Sequence, residues 1–416
     1  MKNSRLHIVL ILIAAIAVGA AGCAVAVMAT DLTEGISSNS VEGKSADAAF
    51  TSALADFSFD LFKKSITAQE NSLVSPLSVT LALAMTANGA DADTLKQMET
   101  LLGGGIGIDE LNKYLYSYVN SLTSMEKSKL SIANSIWFRD DKNRLQVEPD
   151  FLQKNADYYN AAMFSAAFDA QTVRDINKWV KTNTDGMIDK ILEKIEDEML
   201  FLINAIAFDA EWAKIYEDTS VQKDIFTNIR GKKQTVDLMH SNEHVYLEDG
   251  LATGFVKPYY DGKYSFVALL PNEGVSVEAY IESLSGAGFM NTLKNAKNTL
   301  VHASTPKFEY EYEVSMVNAL NALGMSNALD ENKADFRKMA SSPDGKIYIS
   351  EVLHKTFIKV DERGTKAGAV TLVAMATTSL PPQDPPKIVR LDRPFVYAII
   401  DNATNLPVFI GTVMEI

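Results

Sequence analysis

The chain has 416 residues, of which 47% are hydrophobic, and it carries a net charge of −14 with an isoelectric point near 4.9. This length and composition suffice for a large core in one big domain or in two ordinary ones. No basic block occurs, which disfavours nucleic acids and other polyanions as partners. The single cysteine, Cys23, excludes an intramolecular disulfide.

The first 23 residues resemble an export signal that ends in a lipobox. Lys2 and Arg5 precede an apolar run, and Ala20-Ala21-Gly22-Cys23 follows it. Cys23 would then be lipidated and become the mature N-terminus. An uncleaved anchor and a simple cleaved signal are the alternatives, because the apolar run continues through 24–29 and is long enough to span a bilayer. All three place the rest of the chain outside the cytoplasm, and residues 24–45 are predicted to form a polar tether.

The N-terminal half of the chain shows mainly helical periodicity. Ser75 followed by Pro76 predicts the start of a nearly all-apolar helix that ends at residues 88–89, a composition that favours burial. Helices are also predicted over 46–67, 92–102, 109–122, 149–159 and 172–182, and strands over 130–138 and 199–208.

From residue 226 onward short strands dominate. They are predicted over 234–239, 255–258, 264–270, 300–308, 346–360, 387–391, 395–400 and 407–414, with helices over 276–286 and 315–322. The pattern indicates an α+β fold in which residues 46–416 form a single domain.

Common enzyme signatures are missing from the sequence. It contains no Gly-x-Ser-x-Gly, no P-loop and no dinucleotide fingerprint. His240 and His244 have the spacing of a helical metal pair, but the residues between them follow a predicted strand and are interpreted as a turn. We therefore expect no metal and no cofactor. Since no nucleophile and base are paired in the sequence, we expect that the protein is not an enzyme.

The segment 361–386 is unusual for a loop because it is rich in small and β-branched residues. Read as a strand over 365–376, it places Thr365, Ala367, Ala369 and other uncharged residues on one face, and the one charge of this strand, Lys366, lies on the other. The segment could thus enter a sheet without burying a charge. An ordinary buried strand that is always in place fits the same pattern.

With these features in place, the chain resembles the serpin family over nearly all of residues 46–416. The stretches that carry the resemblance are Asn71-Ser72-Leu73-Val74-Ser75-Pro76-Leu77-Ser78, Asn134-Ser135-Ile136-Trp137, Ile176-Asn177-Lys178-Trp179-Val180, Asn204-Ala205-Ile206-Ala207-Phe208 with Trp212, Thr305-Pro306-Lys307-Phe308, Ile349-Ser350-Glu351-Val352-Leu353-His354-Lys355, Arg393-Pro394-Phe395 and Phe409-Ile410-Gly411. The resemblance implies helices packed on a large central sheet, smaller sheets, and an exposed reactive-centre loop over about 362–386.

The resemblance also implies an irreversible protease inhibitor that works as a suicide substrate. A serine protease, or a cysteine protease, would attack the loop and form an acyl-enzyme. The cut loop would then insert into the main sheet as a new strand, a form of strand addition described for this family. A non-inhibitory serpin that acts as a carrier or interaction protein is the alternative. The hinge comprises Glu362, Gly364, Thr365, Ala367, Gly368 and Ala369, and the small residues of its entering face argue against that alternative.

Counting from the hinge glutamate, the resemblance predicts cleavage between Thr378 and Ser379. Because no arginine or lysine lies between Lys366 and Lys387, an elastase- or subtilisin-like target is favoured over a trypsin-like one. A bond after Met375 is a secondary candidate for a chymotrypsin- or cathepsin-like enzyme.

The resemblance assigns structural roles to residues outside the loop. Ser75, Ser78, Asn204 and His354 are expected to form a polar cluster beneath the opening sheet. Glu362 and Lys307 are expected to pair near Trp212, where the loop enters. Residues 91–122 are not net positive, so no heparin site is expected. The predicted protein is therefore a monomeric, prokaryotic, extracellular or cell-surface inhibitor that touches the membrane only through its N-terminal anchor.

Overall fold

The computed structural model describes residues 28–67, 69–122, 127–140, 145–343, 346–365 and 385–416. In this part of the chain the helices are α1 Ala48–Ser65, α2 Pro76–Ala87, α3 Ala92–Gly103, α4 Ile108–Ser121, α5 Pro149–Tyr159, α6 Ala170–Asn183, α7 Val277–Ser283, α8 Gly286–Lys294 and α9 Val317–Ala322. The strands are β1 Thr30–Asp31, β2 Ser72–Val74, β3 Ser128–Arg139, β4 Gln146–Val147, β5 Ala162–Ala166, β6 Leu200–Glu211, β7 Val221–Thr227, β8 Lys233–Glu248, β9 Ala252–Pro258, β10 Tyr264–Pro271, β11 Lys297–Pro306, β12 Phe308–Ser315, β13 Ala340–Ser341, β14 Glu351–Val360, β15 Gly364–Thr365, β16 Lys387–Arg390, β17 Phe395–Asp401 and β18 Pro407–Val413.

Two large sheets and a small one organise these strands. The first large sheet has seven strands in the order β1-β5-β3-β6-β15-β14-β12. The second has nine, with eight in the order β16-β11-β8-β9-β10-β17-β18-β2 and β7 paired with β8. Strands β13 and β4 form the third. The predicted α+β fold of a helical N-terminal half and a strand-rich C-terminal half is confirmed.

Helices cover both faces of the seven-stranded sheet at β3 and β6. All twelve residues of α2 are buried, and its first turn is capped by the Ser75 side chain with Pro76 at the first position, as the sequence predicts. On the other face, Ile176 and Val180 of α6 pack against Trp137 and Phe201. These two strands are therefore central and buried, which explains the nearly continuous apolar run of β6.

Some strands were not predicted, among them β5 and β7, and others were predicted only in part. The predicted turn after residue 239 is wrong, because β8 continues to Glu248 and its residues His240–Glu243 pair with β11. His240 and His244 thus lie on a strand, not on a helix. Strand β12 was missed almost entirely, although its sequence Phe-Glu-Tyr-Glu-Tyr-Glu-Val-Ser alternates strictly. Its glutamates pair with Lys355 and Lys359 of β14.

Residues 28–45 differ from the predicted polar tether. Strand β1 pairs antiparallel with β5, and the backbone N–H of Asn39 donates to Asp157 of α5. Lys44 bonds to Lys113 through the main chain and pairs with Glu110. The polar composition of this segment predicts a solvated tether. In the structure, main-chain hydrogen bonds and a few charged side chains attach the segment to the surface of the domain.

Candidate functional site

The seven-stranded sheet is open at one end, between β6 and β14. Glu351–Thr356 of β14 pair in parallel with Phe201–Ile206 of β6. Beyond these pairs, β15 lies between the two strands, with Thr365 opposite both Ala210 of β6 and Val360 of β14. Strand β15 runs antiparallel to both neighbours. The sheet thus holds the first two residues of an additional central strand.

The chain before β15 is fixed by backbone hydrogen bonds to the segment after β6. The main-chain N–H of Trp212 donates to the Arg363 carbonyl over 2.9 Å, and that of Tyr216 donates to the Glu362 carbonyl over 2.8 Å. The Trp212 indole N–H adds a third bond, 2.9 Å long, to the Asp361 carbonyl. Trp212 and Tyr216 therefore bind the three successive carbonyls of residues 361–363, which lead into β15.

The two residues of β15 are packed tightly between their neighbours. A Cβ on Gly364 would lie 2.0 Å from the Ala210 carbonyl oxygen, so only glycine fits there. The Thr365 hydroxyl is buried and lies 2.5 Å from the Tyr259 hydroxyl. The Tyr259 ring in turn stacks on Trp212, with ring centroids 4.5 Å apart. Aromatic packing thus supports the small inward-facing hinge residue.

Lys307 and Glu362 pair at the same end of the sheet, as the resemblance implies. The Lys307 ammonium lies 2.7 Å from Oε2 of Glu362, and both side chains are about one-third exposed. This bond holds the pKa of the Glu362 carboxyl below its usual value. Because of the exposure, we expect its contribution to the free energy of unfolding to be below about 1 kcal/mol.

The predicted polar residues lie together in the middle of the sheet, where β3, β6 and β14 meet α2. The Ser75 main-chain N–H donates to Nε2 of His354 over 3.1 Å, and Nδ1 of His354 lies 2.6 Å from Oδ1 of Asn204. Since Nε2 accepts, the imidazole proton is on Nδ1 and is donated to Asn204. The Asn204 amide donates to Oδ1 of Asn134 over 3.0 Å, and Ser78 donates to the same oxygen over 3.2 Å.

Burial keeps His354 neutral. The side chain is fully buried, and desolvation lowers its pKa to about 3. Protonation of Nε2 would also break the hydrogen bond that this nitrogen accepts from the Ser75 N–H. The cluster is therefore a relay of neutral hydrogen bonds from α2 across three strands.

Sequence reasoning missed some members of the site. Asn134 was noted only as part of a strand motif, and Tyr216 and Tyr259 were not singled out. Asn134 is the cross-strand partner of Asn204, and Tyr259 forms an isolated bridge with Trp212. Knowledge of the strand register would have identified Asn134, and no local signal in the sequence identifies Tyr216 or Tyr259.

The family model described as Serpin (serine protease inhibitor) matches residues 52–416. The chain belongs to the serpin family. The crystal structure of the thermophilic serpin tengpin in its native state is 56% identical and superposes with a TM-score of 0.89, over 94% of this chain and all of that one. Tengpin in its latent state gives a TM-score of 0.79 at 53% identity, over 90% of this chain and all of that one. The leukocyte elastase inhibitor of Xenopus tropicalis is 30% identical over 384 residues, which cover 87% of this chain and 98% of that protein.

The TM-score is thus higher for the native than for the latent form of tengpin. Several predicted residues lie outside the described part of the chain: Ala367, Gly368 and Ala369 of the hinge, Thr378 and Ser379 of the scissile bond, and Cys23.

Two features are absent among the residues that the structure describes. Among them, no group of three or more histidine, cysteine, aspartate or glutamate side chains is placed to hold a metal ion. Within the same ranges, no helix has the length and apolar character needed to cross a membrane.

Proposed function

We propose that this serpin inhibits extracellular serine proteases of the elastase or subtilisin type by trapping an acyl-enzyme. The protease serine attacks the Thr378 carbonyl carbon, the bond to the Ser379 nitrogen breaks, and Thr378 remains esterified to the protease while Ser379 leaves as a free amine. The new strand from Thr365 onward then enters between β6 and β14 and carries the attached protease along the sheet. Distortion of the protease stops water from hydrolysing the ester.

The observation that carries this proposal is the position of β15. Its two residues already lie between the ends of β6 and β14, antiparallel to both, while Phe201–Ile206 and Glu351–Thr356 are still paired with each other. A longer strand in the same register therefore meets hydrogen-bonding partners on both sides. Insertion replaces one parallel ladder by two antiparallel ones, which are slightly more stable per residue.

The inserted residues suit a central strand. Thr365 is buried on the core side, so alternate residues Ala367, Ala369 and Thr371 face the core in the same register. These side chains are small and uncharged, and the sequence has no proline between Thr365 and Ser379.

The energy gained by insertion explains how a trap can be irreversible. About a dozen new ladder hydrogen bonds, at ~0.5–1.5 kcal/mol each, together with side-chain burial, give on the order of 10 kcal/mol or more. The form with β6 and β14 paired is then kinetically, rather than thermodynamically, stable. The signal-like segment that ends at Cys23 supports export, and the anchor is proposed to be a lipid on this cysteine.

The test is to mix residues 28–416 of the chain with elastase, subtilisin, chymotrypsin and trypsin. We expect a complex of summed mass that survives denaturing electrophoresis for elastase or subtilisin, together with a released peptide that begins at Ser379. Clean cleavage with full protease activity remaining would refute the inhibitor and favour a carrier or interaction protein.

A further inference from the structure

A buried ion pair lies next to residues 212–216, the segment that binds the carbonyls of residues 361–363. Lys257, near the end of β9, is 2% exposed. Its ammonium donates to Oε1 of Glu243 on β8 over 3.0 Å and to the Lys214 carbonyl over 3.2 Å. Ser241 donates to the same glutamate oxygen over 2.7 Å. The Lys257 ammonium is thus fixed from both sides, by a carboxylate and by the main chain of the segment after β6.

The same ammonium lies close to the rings of Trp212 and Tyr216, the two residues that bind the carbonyls of residues 361–363. It is 4.3 Å from the ring centre of Tyr216 and 5.4 Å from that of Trp212, within the range of cation–π attraction. Burial alone lowers the pKa of Lys257, but Glu243 and the surrounding groups outweigh it and the pKa is raised. A permanent positive charge therefore faces both rings.

The energetics of a buried ion pair point to a positioning role. Removing both charges from water is costly, and apolar residues of similar volume often give equal or greater stability. Stability alone therefore does not account for this pair. What an apolar side chain lacks is direction: a cation fixes a carbonyl, a carboxylate and two ring faces at set distances.

We propose that Lys257 is a positioning residue for the hinge, which holds Trp212 and Tyr216 in the orientation that binds the carbonyls of residues 361–363. It acts through these two aromatic residues. Its effect on inhibition rests on the proposed function, whereas its effect on the hinge hydrogen bonds does not.

A second buried ion pair provides the control. Lys263 lies 2.6 Å from Asp401, with side chains 14% and 0% exposed. Asp401 also accepts bonds from Thr404. Within the described residues, none of the contacts of this pair reaches residues 361–365. Substitution of Lys263 should lower stability to a similar degree without affecting the hinge.

The experiment compares Lys257→Met, Lys263→Met and the double variant Lys257→Met/Glu243→Leu with the wild type. The first readout is hydrogen exchange of the Trp212 and Tyr216 amides, which donate to the hinge. The second is the stoichiometry of protease inhibition, and the third is Tm. We expect at least tenfold faster exchange and a several-fold higher stoichiometry in Lys257→Met and in the double variant, but not in Lys263→Met.

The double variant separates positioning from stability. It should recover a Tm near that of the wild type, because no charge remains buried without a partner. Wild-type exchange and stoichiometry in that variant would overturn the proposal, and so would equal changes in Lys263→Met. If the wild type inhibits no protease, the exchange measurement still decides the role of Lys257.

Discussion

His354 and Asn204 face each other across the junction of β14 and β6, joined by a hydrogen bond of 2.6 Å between Nδ1 and Oδ1. A strand that enters between β14 and β6 must break this bond. If the strand continues in the register of Thr365, its residue 371, a threonine, would lie opposite both His354 and Asn204. A hydroxyl at Thr371 can then bond to both groups. The sequence thus supplies a polar residue at the point where the sheet loses its own hydrogen bond.

Replacing Thr371 by valine should weaken the loop-inserted form. Valine keeps the shape of threonine but leaves two buried polar groups without a partner, which costs about 1–3 kcal/mol. We expect a smaller rise in Tm on cleavage of the loop than in the wild type, with the intact variant as reference. Thr371→Ser is the control, since it keeps the hydroxyl and should retain the full rise. An equal rise in Thr371→Val would show that the register changes before residue 371.

Acid should destabilise the native sheet through His354. Its pKa is about 3 in the folded protein, because burial disfavours the charged ring, and about 6.5 in an unfolded chain. Between these values the unfolded state binds more protons, so the free energy of unfolding falls as the pH decreases from 6.5 towards 3. The loss from this group between pH 6.5 and pH 5 is at most ~2 kcal/mol.

The measurement is denaturant unfolding of wild type and His354→Gln at pH 7 and pH 5. We expect the His354→Gln variant to be less stable than the wild type at pH 7, because glutamine does not reproduce both hydrogen bonds of the imidazole. The glutamine side chain does not titrate. The difference between the two proteins should therefore shrink at pH 5. A constant difference would mean that His354 is not the group that titrates.

Local sequence patterns were sufficient for much of the fold. Ser75 and Pro76 fix the start of α2, and the apolar run of β6 is visible without a structure. Strand β12 was missed, although its tyrosines and glutamates alternate as in a strand. The full length of β8 is set by its pairing with β11. Pairing between distant strands decides where such strands end, and a local window does not contain it.

The site follows the same division. Ser75, Ser78, Asn204, His354, Lys307, Glu362 and Trp212 were identified through resemblance, and the structure places them in two neighbouring groups of contacts. Asn134 and Lys257 were not identified. Each makes its contact with a side chain on a neighbouring strand, Asn204 for Asn134 and Glu243 for Lys257. Residue type alone suggested an ordinary polar strand residue in both cases.

Replacing Gly364 by alanine should move β15 out of the sheet. The added Cβ would meet the Ala210 carbonyl at 2.0 Å, and the main chain there has no free space. Overpacking of this kind costs about 1–3 kcal/mol. We expect a lower Tm and a several-fold higher stoichiometry of inhibition. Gly107→Ala is the matched control, because its Cβ meets nothing nearer than 3.7 Å. Unchanged inhibition in Gly364→Ala would mean that β15 is not needed for insertion.

Replacing Thr378 by arginine should redirect the inhibitor to trypsin. The specificity pocket of trypsin carries a carboxylate that binds arginine or lysine, and the sequence offers neither between Lys366 and Lys387. The wild type should give no trypsin complex, whereas Thr378→Arg should give one that survives denaturant and releases a peptide beginning at Ser379.

Thr377→Arg and Ser379→Arg test the position of the bond. Trypsin would cut Thr377→Arg one residue before the predicted bond and Ser379→Arg one residue after it. The strand that inserts with the protease would then be one residue shorter in the former and one residue longer in the latter. Since side chains alternate between the faces of a strand, this shift reverses the face on which the esterified residue lies. Both variants should therefore be cleaved with a higher stoichiometry of inhibition than Thr378→Arg. A lower stoichiometry of inhibition in either variant than in Thr378→Arg would mean that the natural reactive bond follows that residue instead, because the length of the inserted strand determines how far the protease is carried.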